Sequence, residues 1–330
     1  MSHPEVSVLG MGLPIIDRIG KVAMAPTSRE KVELHRIARD VGPKDGGVIP
    51  NILSNYVALS DDVKQVRLLA GVGEDTAGYG YINRLDRRIQ NIDIIRSQET
   101  AQLYDLLTTD GSRIWQLFLG AAAFVSAGSK HYRAIQDSNS YFMIDINTIR
   151  EPEIMDEANR TLGVVNSNQA HTIVNLSGIQ GIDETRIRQI ASTFSKPPLA
   201  VFGNVEEFAV LEHSALQIIF ADTRLQVKTM AEEGSIMTFD GIKRHIPSVR
   251  VPDSQFRSSV GCGDSFMGSF LALCLAEKPD FWSAKLLERS ANFGSFMASE
   301  TAKSHSSRLS PATLSGLKEI YIKKHKIGDI

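Results

Sequence analysis

Short β-rich apolar runs alternate with amphipathic segments over most of this chain. The first run spans Val6 to Met11, and later ones begin at Val66, Tyr141, Thr172, Leu199 and Leu225. All of the later runs except the last are followed by a helix-compatible stretch. Parallel strands need long crossover connections, and these are usually helices. The alternation therefore predicts an α/β fold with a mainly parallel central sheet.

Three strand-like runs in succession break this alternation. They are IDIIRS from Ile92, AQLYDLLTT from Ala101 and RIWQLFL from Arg113. Asp110-Gly111 separates the last two, and Asp-Gly between alternating runs is a strong hairpin signal. We expect a small sheet that projects from the main one, either as edge decoration or as a lid over a site. The polar segment 18–44 is a candidate for the same sheet.

The composition excludes several function classes. A formal net charge of -2 gives no electrostatic footprint for nucleic acid or an anionic membrane. The two cysteines, Cys262 and Cys274, are too few for a disulfide framework and lack the CxxC spacing of a zinc site. The N-terminus lacks the basic start and apolar run of a signal peptide, and no stretch approaches about 18 uninterrupted apolar residues. We expect a cytoplasmic protein that binds neither nucleic acid nor membranes.

The most informative string for chemistry is Val260-Gly261-Cys262-Gly263-Asp264, which precedes an apolar helical run. Glycines let the backbone approach a ligand closely, and the free N–H groups of a helix's first turn bind anions. The string is therefore typical of a phosphate cradle with a carboxylate beside it. An ordinary helix cap would show a similar pattern, since Asp is a preferred cap.

A second string, FGNVEE from Phe202, lies where a predicted strand ends and a helix starts. Asn204 and Glu207 are three residues apart and can face one crevice at the carboxyl edge of the sheet. Oxygen ligands there suit Mg²⁺, which is usually held by one or two carboxylates plus substrate phosphates. Taken alone, Asn204 is better interpreted as a helix cap.

Weaker strings accompany these two. Thr229 to Gly234 follows another strand end and can place a hydroxyl and open backbone near a nucleotide. Gly10-Met11-Gly12 ends the first strand and Asp17 follows it, while Gly46-Gly47 and Asn51 open the next helix. None of these is specific by itself.

Together and in this order, the strings resemble the ribokinase (PfkB) family from end to end. GMGLPIID looks like its N-terminal substrate segment, GGVIPN like its Gly-Gly-x-x-x-Asn element and GVGEDTAG like its Gly-x-Asp-x-x-Gly element. FGNVEE looks like the Asn-x-x-Glu metal motif, and GCGD like the C-terminal Gly-Ala-Gly-Asp signature. The last two motifs in this order are the specific part of the resemblance.

The resemblance implies an α/β, ribokinase-like three-layer α/β/α sandwich in one domain over residues 1–330. It also implies a small β lid formed by inserted segments near 12–45 and 92–120. Asp264 would be the catalytic base, and the amides of Gly261, Cys262 and Gly263 would form an anion hole.

The same resemblance implies ATP and Mg²⁺ as cofactors. Asn204 and Glu207 would organise the metal, partly through water. The nucleotide would be bordered by Asn204, Thr229, Gly234 and Asn292. The hydroxyls of the substrate would be held by Asp17, Gly46, Gly47 and Asn51.

Two departures from the family pattern affect narrower expectations. Ser258-Ser259-Val260 stands where the family usually has Asp-Thr before the signature, so the sequence leaves open whether the monovalent-cation site that the Asp often supports is present. Ala231 replaces a frequent glycine in the nucleotide loop. Neither change removes the predicted base or the metal motif.

Other function classes fit these motifs less well. A dinucleotide-dependent oxidoreductase is disfavoured because Ile15 stands where the third glycine of Gly-x-Gly-x-x-Gly should be. A serine hydrolase lacks its Gly-x-Ser-x-Gly elbow, and a P-loop enzyme lacks its Walker A sequence. A non-catalytic protein on a kinase fold stays open, although intact Asp264 and Glu207 weigh against it.

The expected substrate is a nucleoside, adenosine first, with a sugar such as ribose or a ketohexose as the alternative. GMGLPIID, VNLSG from Val174 and FGNVEE resemble the adenosine-kinase branch more than the ribokinase branch. Trp115 and Phe118 could offer an apolar surface to a base, or they could be core residues of the small sheet. The sequence leaves a monomer and a homodimer equally open.

Overall fold

The computed structural model describes residues 6–22, 43–61, 63–108 and 113–325. Its strands, in chain order, are β1 (Val6–Met11), β2 (Ile15–Val22), β3 (Lys44–Gly46), β4 (Val63–Gly73), β5 (Ile89–Ile95), β6 (Gln102–Thr108), β7 (Arg113–Phe118), β8 (Ser140–Asp145), β9 (His171–Asn175), β10 (Ala200–Asn204), β11 (Leu225–Thr229), β12 (Ser235–Phe239) and β13 (Ile242–Ile246).

The α-helices, in the same order, are α1 (Val48–Leu59), α2 (Thr76–Arg84), α3 (Ser129–Tyr132), α4 (Ile146–Ile149), α5 (Pro152–Ser167), α6 (Glu184–Ser192), α7 (Val205–Glu212), α8 (Leu216–Phe220), α9 (Cys262–Cys274), α10 (Ala284–Ala302) and α11 (Pro311–His325). Short 3-10 helices cover Gly120–Phe124, Ala231–Glu233 and Pro279–Phe281. No helix in the described ranges is long and apolar enough to cross a membrane.

The central sheet follows the order β13-β12-β11-β10-β9-β8-β1-β4-β5. Strands from β11 to β5 pair in parallel, and only β12 and β13 are added antiparallel at one edge. The prediction of a mainly parallel sheet is confirmed. Because parallel strands end at the same edge, the loops after β1, β8, β9, β10 and β11 meet along one side of the molecule.

Two apolar cores cover the two faces of this sheet. Along β8, Tyr141 and Met143 belong to one core, and Phe142 and Ile144 belong to the other. Strands buried on both faces have continuous apolar sequences, which is why these segments were recognisable. The first core contains residues of α1, α2, α9, α10 and α11, and the second contains residues of α4 to α8. The protein is therefore a three-layer α/β/α sandwich.

A separate four-stranded sheet has the order β3-β2-β6-β7. Its strands come from the segments expected to supply the lid, and β6 and β7 pair antiparallel as a hairpin with Leu107 opposite Arg113. The predicted hairpin tip, Asp110-Gly111, lies outside the described residues, as does most of the segment 18–44. A covering role for this sheet and the single-domain organisation stay predictions.

The prediction for one run was wrong. The segment from Ile92, which the sequence pattern groups with the small sheet, lies in β5, and β5 pairs in parallel with β4 at the edge of the central sheet. Helix α2 links β4 to β5, so these elements complete one more crossover unit. Ile92 packs against the first core. Alternation alone predicts a half-buried strand, but it does not tell which sheet the strand joins.

Candidate active site

A cleft opens at the carboxyl edge of the central sheet, beside the start of α9. The ends of β9, β10 and β11 form one side, and the first turn of α9 forms the other. Several residues that were predicted for the site from separate sequence strings line this cleft together. They are Asn204, Glu207, Thr229, Gly263 and Asp264.

The two glycines before Asp264, Gly261 and Gly263, lie at the N-terminal end of α9. Gly261 caps the helix with φ 80°, a conformation that favours glycine. A Cβ on Gly261 would also lie 2.1 Å from the carbonyl oxygen of Ser307. A Cβ on Gly263 would meet nothing within 4 Å, so the backbone there is open to the cleft. This local geometry fits the approach of a phosphate to helix-terminal amides.

Cys262 contributes to this turn through its backbone. Its amide donates to the carbonyl of Ser259 at 3.2 Å, so in this structure it is already engaged in the turn, in contrast to the expected free anion-hole donor. Burial, together with the charge of Asp264, raises the pKa of the Cys262 thiol to about 11. The thiol is therefore neutral and is a poor nucleophile near pH 7.

Asp264 lies in the first turn of α9 and is partly exposed to the cleft. Asn51 Nδ2 donates to Asp264 Oδ2 at 2.9 Å, which joins two residues that lie 213 positions apart in the sequence. Burial raises the pKa of the Asp264 carboxyl to about 7, and the charge of Glu207 also raises it. The Asn51 hydrogen bond and the Arg308 guanidinium oppose this increase in pKa. A carboxyl that titrates near pH 7 suits general base catalysis.

The amide of Asn51 keeps one open position. Asn51 is 2% exposed, and its Oδ1 has no hydrogen-bond partner within the described residues. A buried acceptor without a partner is costly unless water or a ligand supplies a donor. With Nδ2 committed to Asp264, the donor for Oδ1 would have to come from a bound water or ligand.

Asn204 and Glu207 form a reciprocal cap at the start of α7. Glu207 N donates to Asn204 Oδ1 at 2.8 Å, and Asn204 N donates to Glu207 Oε2 at 2.8 Å. The interpretation of Asn204 as a cap is therefore confirmed, and the cap orients both side chains at the cleft. Burial raises the pKa of Glu207 above its usual value. A nearby cation would offset the cost of keeping this carboxylate ionised.

The described residues contain no group of three His, Cys, Asp or Glu side chains that could hold a metal by themselves. A Mg²⁺ ion in this cleft would therefore take most of its ligands from phosphate oxygens and water. Mg²⁺ normally binds in this way in phosphoryl-transfer sites. The donor set around Glu207 fits such an ion.

Besides Asn204, three residues are expected near the nucleotide, and they are not equally close to the cleft. Thr229 lines it and donates its hydroxyl to the carbonyl of Gly203 at 3.3 Å. Gly234 is not among the residues that line it. The φ of 96° at Gly234, and the carbonyl of Ile246 only 2.1 Å from where a Cβ would be, explain the glycine structurally. Asn292 is exposed on α10 and donates to the carbonyl of Glu288. Nucleotide contacts of Gly234 and Asn292 stay predictions.

The residues expected to hold the substrate adjoin one another between the two sheets. Asp17 in β2 packs so closely on Gly46 that a Cβ there would lie 2.3 Å from a carboxylate oxygen. Gly47 caps α1 with φ 101°, and α1 carries Asn51. Burial raises the pKa of Asp17 to about 7, and the charge of Asp264 is the next largest cause. The effect of the Asp264 charge on Asp17 indicates that the two carboxylates lie near each other.

Sequence reasoning missed other polar residues at the site. Asn175, at the end of β9, lines the cleft with only 8% exposure, yet its string was used only to compare family branches. Asp145 ends β8 and is 2% exposed, with a pKa raised to about 7 chiefly by burial. Both follow apolar strands, and a systematic search for polar residues at strand ends would have found them. The buried Arg308 gave no comparable signal.

The three-layer sandwich, the small second sheet and the glycine-flanked start of α9 place the protein in the class of ribokinase-like α/β folds. The structure resembles a ribokinase from Giardia lamblia, with a TM-score of 0.74 and 13% identity over 98% of this chain and 100% of that chain. It also resembles the adenosine kinase from Sinorhizobium meliloti, with a TM-score of 0.70 and 18% identity over 95% of this chain and 99% of that chain.

An Arabidopsis thaliana ribokinase, solved in complex with ribose and ATP, matches with a TM-score of 0.69 and 15% identity over 97% of this chain and 99% of that chain. At such identities these likenesses establish the fold alone. The model of the pfkB family of carbohydrate kinases matches residues 10–314. The chain therefore belongs to the pfkB carbohydrate kinase family. No curated protein matches the sequence.

Proposed function

We propose that this protein is an ATP- and Mg²⁺-dependent phosphotransferase that phosphorylates a hydroxymethyl group of a small substrate, with adenosine or another nucleoside favoured. The family is one of carbohydrate kinases, which are phosphotransferases. The observation that carries the proposal is the Asn51–Asp264 pair, in which a carboxyl with a pKa near 7 lies next to an amide oxygen without a partner.

Asp264 acts as the general base in this proposal. It accepts the proton of the substrate hydroxyl while Asn51 holds that hydroxyl beside it. Asp17 and the backbone at Gly46 and Gly47 orient the other hydroxyls, and such positioning can supply much of the rate of a phosphoryl transfer. The open amides around Gly263 receive negative charge that develops on the transferred group.

The residues present also fit the two cofactors. The cleft between β10 and α9 would hold the phosphates of ATP, and Asn204 and Glu207 would hold Mg²⁺ through its coordinated water and directly. ATP would supply the phosphoryl group, and the ion would neutralise charge on its oxygens. Thr229 would contact the nucleotide where it lines the cleft.

The small sheet supports a nucleoside as the acceptor. Phe118 at the end of β7 is 49% exposed, so it is not packed in a core of that sheet and is available to an apolar partner. The side chain of Trp115 lies outside the described residues. Asp17, in β2 of the same sheet, lies near enough to Asp264 for that charge to raise its pKa, so an acceptor with one polar and one apolar end would match this boundary.

The acceptor is tested by direct competition. With Mg-ATP, adenosine should be phosphorylated at its 5′-hydroxyl with a kcat/KM well above the values for ribose or fructose. Product identity is checked by mass spectrometry and phosphorus NMR. Turnover of a free sugar without nucleoside phosphorylation would instead favour the sugar-kinase branch. A protein that binds ATP and acceptors without any turnover would be the non-catalytic alternative.

Shortening the β6–β7 hairpin tests the proposed lid. Deletion of residues 109–112, replaced by a two-residue Asn-Gly turn, should weaken acceptor binding and leave ATP affinity nearly unchanged. The physical reason is that β2 of the same sheet carries Asp17, a proposed acceptor-binding residue whose pKa is raised in part by the charge of Asp264. Calorimetry with each ligand separately gives the comparison. Equal losses for both ligands would mean that the small sheet is structural decoration.

A further inference from the structure

A largely buried arginine, Arg308, contacts several of the segments that form the proposed acceptor side of the site. Its side chain is 9% exposed, and it lies in the loop between α10 and α11. Buried arginines are rare unless they are paired, because removal of a guanidinium from water is costly. The groups that pair with the Arg308 guanidinium therefore indicate its structural role.

The guanidinium of Arg308 contacts three elements at once. Nη1 donates to the hydroxyl of Ser54 on α1 at 3.3 Å, and Nη2 lies 3.4 Å from the Asp45 carboxylate in β3. The guanidinium carbon also lies 5.2 Å from the ring centre of Tyr81 on α2. Ser54 is three residues after Asn51, so it lies nearly one helical turn beyond the residue that holds Asp264.

Ser307, the residue before Arg308, contacts both β3 and the start of α9. Ser307 donates its hydroxyl to the carbonyl of Asp45 at 2.9 Å. Its own carbonyl oxygen abuts Gly261, where a Cβ would lie 2.1 Å away. The loop is thus in contact with both β3, which leads into Gly46-Gly47, and the start of α9.

These contacts do not provide an acceptor for every hydrogen-bond donor of the Arg308 guanidinium. Nη2 has an ion pair with Asp45 but no hydrogen bond of good geometry within the described residues. The Arg308 charge also acts on Asp264, since it opposes the upward shift of that carboxyl's pKa. One guanidinium therefore contributes both geometry and charge to the acceptor side.

We propose that Arg308 is a positioning residue, which fixes the Lys44–Gly47 segment and α1 relative to the glycine cradle so that the acceptor hydroxyl meets Asp264. The kinetic effect of this role rests on the proposed phosphotransferase function. The structural positioning of the Lys44–Gly47 segment and α1 does not depend on that function. A displacement of about 1 Å at a reacting group can cost a hundredfold in rate, so a fixed boundary here matters for turnover.

Arg84 offers a matched control, because this second arginine binds the Asp45 carboxylate from the solvent-exposed side. Arg84 donates to both Asp45 oxygens, at 2.7 and 2.8 Å, but its side chain is 57% exposed. Exposed ion pairs contribute little to stability. In an Arg308→Met variant, Asp45 would still be paired by Arg84, so no buried carboxylate would be left without a cation.

The test compares Arg308→Met, Arg308→Lys and Arg84→Met in the full-length protein. Arg308→Met should raise the KM for the acceptor and lower kcat, each by about tenfold or more, while the KM for ATP stays nearly constant. Arg308→Lys should recover part of this loss, since it keeps the charge but not the planar fork. Arg84→Met should behave like the parent protein.

Hydrogen exchange of the ligand-free proteins tests the positioning independently of turnover. Backbone amides in 44–47 should exchange about tenfold faster in Arg308→Met than in the parent or in Arg84→Met. Unchanged exchange there would overturn the inference, whatever the activity. If the parent had no kinase activity and Arg308→Met still exchanged faster, the positioning would stand and the proposed function would be refuted. Equal kinetic losses for acceptor and ATP would show a general structural role and would also overturn the inference.

Discussion

Asp264→Asn should lower phosphoryl transfer by about 10² to 10⁴, the usual range for losing general acid–base help, while the protein stays folded. Asn can keep the hydrogen bond from Asn51 Nδ2 through its own amide oxygen, but it cannot take a proton from the acceptor. Single-turnover kinetics under saturating Mg-ATP measure the chemical step directly. A variant that turns over within a fewfold of the parent would show that Asp264 is not the base.

The pH dependence of the parent protein sharpens this test. Because the Asp264 pKa is raised to about 7, its carboxyl is largely protonated below that pH and cannot act as a base. kcat/KM should therefore rise as pH increases through about 7 and level off above it. This acidic limb should be absent from the residual activity of Asp264→Asn. Persistence of the limb would assign it to another group, Asp17 first, because that pKa is also raised to about 7.

Thermal unfolding supplies the control for folding. A carboxyl with a raised pKa in the folded state stabilises the protein most at low pH, and that contribution is lost as pH rises through the folded value. Asn has no such titration, so Asp264→Asn should be at least as stable as the parent at pH 8. A large drop in Tm there would mean that the loss of activity reflects misfolding.

The sequence predicted the strands in the middle of the central sheet, such as β1 and β8, because they are buried on both faces. Val6–Met11 was placed with the bounds that the structure shows, since a short continuous apolar run is typical of a strand covered on both sides. β5 was placed in the wrong sheet, because its alternating pattern is shared by any strand with one covered face. β13 was not predicted at all: four of its five residues are exposed, so it gives no apolar periodicity.

The site was predictable where a backbone constraint required a particular residue type. Gly47 and Gly261 have positive φ, and Asn204 and Glu207 satisfy each other as a cap, so each leaves a local signature. The Asn51–Asp264 contact could be proposed only from the family resemblance, because it joins two distant helices. Arg308 could not be predicted, since the serine-rich segment around it has the composition of a solvated loop and its burial arises from tertiary packing alone.

Glu207→Gln should raise the Mg²⁺ concentration needed for half-maximal turnover and lower kcat, each by about 10- to 100-fold. Glu207 is 8% exposed at the cleft, and its Oε2 accepts the Asn204 amide at 2.8 Å. Gln can accept the same hydrogen bond, so the start of α7 should be preserved. What is lost is the negative charge that attracts the cation, and burial makes that charge more effective than it would be in water.

The same variant separates the two roles of the Asn-x-x-Glu motif. If the motif were only a helix cap, Glu207→Gln would keep the cap and the Mg²⁺ titration would match that of the parent. Glu206→Gln is the matched control, since Glu206 is the exposed neighbour in the same turn. Acceptor affinity, measured by calorimetry without nucleotide, should be nearly unchanged in both variants, because Asn51 and Asp17, and not Glu207, are the residues proposed to bind the acceptor. A shifted Mg²⁺ titration for Glu207→Gln alone would therefore establish the metal role independently of the acceptor's identity.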